Sequence, residues 1–231
     1  MVERSEKMKE DFIANVLYEQ SVLEELQDRN RSEYQHDYKI VDLMIEEINQ
    51  LGYNLKSETD LRLREFNDKA LIPIYEKYYL QFDNLGFAED FLDMITKRGF
   101  TEAMPIVQNL YNVLKQSAPL YQIASCDNAF YRINDKKSIN LFLIYLNNEK
   151  DVIHLPLTMR LLAKWKVPDA KTMFLQYMSN SNRDIVFTSI EALSYYDDPE
   201  NEIKALIEKK LESSDKDVRI AAKKALKRMR K

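Results

Sequence analysis

Apolar residues recur along this chain at the three- and four-residue intervals of an α-helix. Phe12, Val16, Leu23 and Leu26 fall near one face of a first helix, with acidic residues opposite. Tyr34, Tyr38, Val41, Ile45 and Ile48, spaced 4, 3, 4 and 3, predict a second helix that stops at Leu51-Gly52. There a glycine can take the left-handed conformation that closes a helix. Ser57 and Asp60 then mark a new start, because a serine side chain can accept one of the N–H groups left over in a first turn.

From about residue 70 the pattern repeats. Leu71-Ile72-Pro73-Ile74 returns as Ala103-Met104-Pro105-Ile106, a step of 32, and Val167-Pro168-Asp169 returns as Asp198-Pro199-Glu200, a step of 31. Tyr145-Leu146, a polar loop and Ile153 match Tyr177-Met178, a polar loop and Ile185, then Leu211, a polar loop and Val218. Five copies follow, at roughly 70–98, 102–133, 136–166, 168–197 and 199–230, each read as two helices joined by a short polar turn. Neither helix can bury its stripe alone, so stacked neighbours are expected to share one core.

The second helices align in columns. Tyr121, Ile153, Ile185 and Val218 are expected to open them, followed by Ser125, Leu157, Ser189 and Ala222, then Ala129, Leu161, Leu193 and Leu226. Small residues in such columns let helices approach closely. The run Asp217-Val218-Arg219-Ile220-Ala221-Ala222-Lys223-Lys224-Ala225-Leu226 resembles the second helix of a HEAT repeat. Asp198-Pro199-Glu200 and the prolines at 73 and 105 resemble its first helix. The resemblance implies an all-α fold: a solenoid (α-α superhelix) of about five HEAT-like hairpins over 70–231, with residues 1–66 as a helical cap. It specifies function poorly, since such repeats serve adaptors, transport factors and a few enzymes.

Composition supports the helical reading. Three glycines and six prolines in 231 residues are few for tight hairpins or phosphate-binding loops, and helices need neither. With 45% hydrophobic and 31% charged residues the chain is globular, and no apolar run approaches the ~20 residues that cross a bilayer. The first residues carry charges with no apolar stretch behind them, so no signal peptide is read there. Cys126 is a lone cysteine, which excludes an internal disulfide and suits a reducing cytoplasm. A net charge of −4 argues against a dedicated nucleic-acid binder, and weakly for a neutral or basic partner.

Candidate chemistry is sparse. The two histidines, His36 and His154, stand before Asp37 and Leu155, so the repeated His-Glu ligands of HEAT-type hydroxylases are missing and no metal or cofactor is expected. Nothing marks a base or oxyanion site for Cys126, which reads as a buried small hydrophobe. A HEAT-like alkylpurine DNA glycosylase would need a cationic concave face and several aromatics, whereas Trp165 is the single tryptophan. The C-terminal helix is basic, with Lys216, Arg219, Lys223, Lys224, Lys227, Arg228, Arg230 and Lys231 against Asp217. One reading is a patch for nucleic acid or an acidic protein; the reading adopted is the polar outer face that a terminal repeat needs, with cations favoured at a helix C-terminus.

One column breaks its pattern. Ala192 and Ala225 occupy it late in the chain, but Asn128 and Arg160 do so earlier, and the arginine needs an acceptor such as Asp127 or Glu191, or a ligand. Tyr75, Tyr78, Tyr79 and Phe82 are placed on one helix, covering more than one face, so that some should be exposed. The candidate partner-binding residues are Asn128, Tyr131, Arg160, Trp165, Tyr195 and Tyr196. Together these features predict a non-catalytic scaffold that binds a protein on the concave face of the second helices. A nucleic-acid binder or glycosylase, and an inhibitor or immunity-type protein for one enzyme, are the alternatives.

Overall fold

The computed structural model describes residues 17, 18, 20–22, 25, 31–63, 68–84, 91–117, 120–148, 152–198 and 201–229. For 62, 63, 117 and 120–122 it describes the backbone alone. Every regular element among these residues is helical: α1 (Gln35–Gln50), α2 (Glu58–Leu63), α3 (Ile72–Tyr78), α4 (Met104–Ser117), α5 (Leu120–Ile133), α6 (Ile139–Leu146), α7 (Pro156–Lys164), α8 (Pro168–Tyr177), α9 (Arg183–Leu193), α10 (Glu202–Lys209) and α11 (Lys216–Met229), with a short helical stretch at 91–95. No helix among the described residues is long and apolar enough to cross a membrane.

Two compact units divide the chain, Met1–Val113 and Leu114–Lys231, so the boundary read at 66–70 falls inside the first. Within that unit α1 follows its predicted face, with Tyr38, Val41, Ile45 and Ile48 all buried. It ends at Gly52, whose φ of +94° is the left-handed closure expected. Ser57 Oγ accepts the Asp60 N–H at 3.3 Å, which starts α2 as its sequence implies. Glu47 ties α1 to α3 by accepting from Lys77 Nζ and, at 2.8 Å, from the Tyr78 hydroxyl. Phe12, Val16, Leu23, Leu26 and Gly86 lie outside the described residues.

The aromatic cluster differs from expectation. Helix α3 ends at Tyr78, so Phe82 is not on it. Tyr75 and Tyr78 are buried and Tyr79 and Phe82 half-buried, because Tyr75, Tyr79 and Phe82 all converge on Phe91, with centroids 5.9, 6.4 and 5.7 Å away. A side chain from another segment thus covers rings that spacing alone left open.

In the second unit α6 lies against α7, α8 against α9, and α10 against α11. Contacts run from α5 to α7, α7 to α9 and α9 to α11, while α8 lies against α6 and α9. Each step buries apolar layers such as Ala129, Phe130 and Ile133, then Leu161 and Leu162, then Ile190 and Leu193, then Ala222 and Leu226. A fully buried side chain of this size contributes about 1.5–3 kcal/mol, so these layers dominate the packing.

Two helix starts depart from the copy register. Ile153 does not open α7; it sits in a turn, 37% exposed, and the helix begins at Pro156. Proline lacks the N–H that a first turn leaves unpaired, and it pushes Leu155 before it out of the helical region (φ −122°, ψ 40°). Helix α10 begins at Glu202, later than the Pro168 start of α8 implies. Here Asp198 accepts the N–H groups of Ile203 and Lys204 at 3.1 and 2.8 Å, and Asn201 turns the chain in a left-handed conformation. Pro199 and Glu200 are outside the described residues, as is the Tyr121 side chain, whereas Ile185 and Val218 are buried on their helices.

Candidate functional site

Helices α5, α7, α9 and α11 contact one another in turn, so residues 31 to 33 positions apart meet across each junction. Lys164 on α7 donates to the Tyr131 hydroxyl on α5, with its ammonium 4.8 Å from that ring's centre. Arg160 on α7 donates to Glu191 on α9 at 2.7 Å, the acceptor it needs at a half-buried position. At the next junction Arg228 on α11 lies 4.4 Å from the centre of the Tyr195 ring. Its Nη1 donates to Ser194 Oγ at 2.7 Å and to the Glu191 carbonyl at 3.4 Å. The three junctions form a polar ladder in which two cations rest on tyrosine rings, each contact worth about 0.5–1 kcal/mol at an exposed site.

Beneath the ladder lies Asp127, a buried acid. Its carboxylate accepts the N–H groups of Leu157 and Thr158 at 2.7 and 2.8 Å and the Thr158 hydroxyl at 2.6 Å, so it caps the start of α7 from α5. Burial pushes the carboxyl up to about 7, against the pull of the Thr158 hydroxyl, the two amides and the Arg160 charge. The first unit repeats the device: Glu25 accepts the Glu58 and Thr59 N–H groups at 3.3 and 3.2 Å and the Thr59 hydroxyl at 2.9 Å.

Of the six residues singled out in the sequence, Tyr131, Arg160 and Tyr195 stand on the ladder, and Asn128 is exposed on α5. Trp165 and Tyr196 are instead used in packing. Trp165 stacks on Phe142 with centroids 6.4 Å apart and planes at 19°. Tyr196 is 8% exposed, donates its hydroxyl to the Val167 carbonyl at 2.8 Å, and has its phenol pushed up by that burial. Sequence reasoning missed Lys164 and Arg228 as ladder residues and Asp127 as a cap. The 33-residue offset shared by Tyr131–Lys164 and Tyr195–Arg228 was the available signal.

A cleft of about 470 Å3 opens where α9 ends beside α11, lined by Tyr195, Asp197, Asn201, Lys204, Arg228 and Met229. Both acids near it are engaged: Asp197 with Lys166 Nζ at 2.7 and 3.0 Å, and Asp198 with the α10 amides described above. On the basic helix, Arg219 donates to the Ser213 and Ser214 carbonyls at 2.6 and 2.8 Å, while Lys216, Lys223, Lys224 and Lys227 are exposed. Arg230 and Lys231 lie outside the described residues. Cys126 is buried. His36 approaches Gln81 and Asp83, with Nε2 3.2 Å from the Gln81 carbonyl, and His154 is half-buried in a turn. No group of three or more His, Cys, Asp or Glu among the described residues could hold a metal ion. No family model, curated protein or solved structure matches the chain.

Proposed function

We propose that the chain is a non-catalytic scaffold of stacked, HEAT-like hairpins that binds a partner protein on the exposed face of α5, α7, α9 and α11. The observation that supports this reading is the ladder. Tyr131–Lys164, Arg160–Glu191 and Tyr195–Arg228 place aromatic and basic side chains along one series of packed helices. Tyrosine and arginine dominate the residues that carry binding energy at interfaces, and helices hold them more rigidly than loops do. A cytoplasmic location and a protein partner belong to the same proposal.

The test is affinity capture of the tagged chain from lysate, with and without nuclease, beside a Tyr131→Ala/Lys164→Ala variant of unchanged helicity. The reading expects one protein recovered by the parent chain regardless of nuclease and lost by the variant. Equal recovery by both would remove the face from consideration. Nuclease-sensitive recovery would replace the scaffold with a nucleic-acid binder.

A further inference from the structure

The cleft between the ends of α9 and α11 has cationic donors that form no ion pair among the described residues. Arg228 is held in place by the Tyr195 ring, Ser194 Oγ and the Glu191 carbonyl, all neutral, and only Nη1 of its guanidinium is engaged among the described residues. Lys204 forms no ion pair among the described residues, and the Tyr195 hydroxyl has no hydrogen-bond partner among them. Asp197 and Asp198 line the same cleft, but the contacts they form there are with Lys166 and with the α10 amides, not with Arg228 or the Lys204 ammonium. Lys224 is exposed one turn before Arg228 on the same face of α11.

We propose that this cleft receives an extended acidic segment of a partner protein, with one carboxylate against Arg228 and Lys204 and a second, two residues away, against Lys224. The inference rests on the protein-binding reading above and names the chemistry of the partner. Spacing supports it. Side chains one helical turn apart lie about 5–6 Å from each other, and alternate residues of an extended strand repeat every ~6.6 Å. A Glu-x-Glu pattern therefore matches Lys224 and Arg228 without bending.

Charge supports it as well. The first unit holds 13 lysines and arginines against 23 aspartates and glutamates, but the second holds 21 against 15, opposite to the sign of the whole chain. A nucleic-acid strand fits less well. Base stacking needs open rings, and Arg228 and Lys164 already cover Tyr195 and Tyr131. Asp197 at the cleft would also repel a continuous run of phosphates, whereas a peptide can place a neutral residue there.

The experiment uses the full chain and fluorescence anisotropy with three labelled probes: a heptapeptide of alternating Glu and Ala, its Gln counterpart, and a short single-stranded oligodeoxynucleotide. At about 50 mM salt the acidic peptide is expected to bind roughly tenfold more tightly than the Gln peptide, and to weaken as salt screens the pair. Arg228→Ala and Lys204→Ala should each lose most of that difference, while Lys136→Ala, an exposed lysine on another hairpin, should not. Lys204→Ala keeps the test readable if Arg228→Ala lowers stability. Equal binding of the two peptides, insensitivity to both variants, or preference for the oligonucleotide would each overturn the proposal. A partner that is captured from lysate, lost by the Tyr131/Lys164 variant and kept by Lys204→Ala would sink this site and leave the scaffold standing.

Discussion

Asp127 shows how one side chain can hold two helices together. It fills the first turn of α7 with three hydrogen bonds from a helix that precedes it in the chain. Asp127→Ala strands the buried N–H and hydroxyl of Thr158 and the half-buried N–H of Leu157, and should cost about 2 kcal/mol in urea denaturation. Trp165, the single tryptophan, sits directly after α7 and provides the emission signal. The same carboxyl makes stability depend on pH. Its value rises from 3.8 in the unfolded chain to about 7 in the fold, so the folded state holds the proton more tightly between those limits. Its stabilising contribution is complete below the lower value and lost as pH rises through the upper one. The thermal midpoint should therefore fall between about pH 4 and pH 7, and Asp127→Asn should flatten that slope. An unchanged slope in the variant would exclude Asp127 as its source.

At the scale of elements, the helices were legible because burial on one face imposes a period on the sequence. Tyr38, Val41, Ile45 and Ile48 declare α1, and Gly52 declares its end. Gly52→Ala tests that end directly. An added Cβ would meet nothing within 4 Å, so only the φ of +94° opposes it, and a loss of about 1 kcal/mol is expected in thermal unfolding. What remained hidden depends on partners distant in sequence. Asp127 carries no local sign that its acceptors serve amides 30 and 31 residues on. Tyr196 and Trp165 looked like surface anchors until Val167 and Phe142 took them into the packing. Ile153 matched its column in type, yet Pro156 decided where α7 could start.

Taken as a whole, the molecule separates its charge. A net charge of −4 and a sequence pI of about 5.5 describe no part of it well, since the first unit is acidic and the second basic. Screening at ~0.1 M salt acts over about 10 Å, so a basic cluster on α11 is felt locally despite the opposite total. The intact chain is expected to be retained on a cation exchanger near neutral pH in low salt, and Lys224→Glu with Lys227→Glu should release it. Passage of the parent chain straight through would show that the total charge governs. The direction of the capping bonds has a different consequence. Glu25 precedes the amides it serves by 33 and 34 residues, and Asp127 precedes its own by 30 and 31. During translation, each acceptor therefore leaves the ribosome before the helix that needs it. A chain shortened from its back keeps the start of α7 closed, whereas one shortened from its front past Asp127 leaves that turn with amides and no acid to receive them.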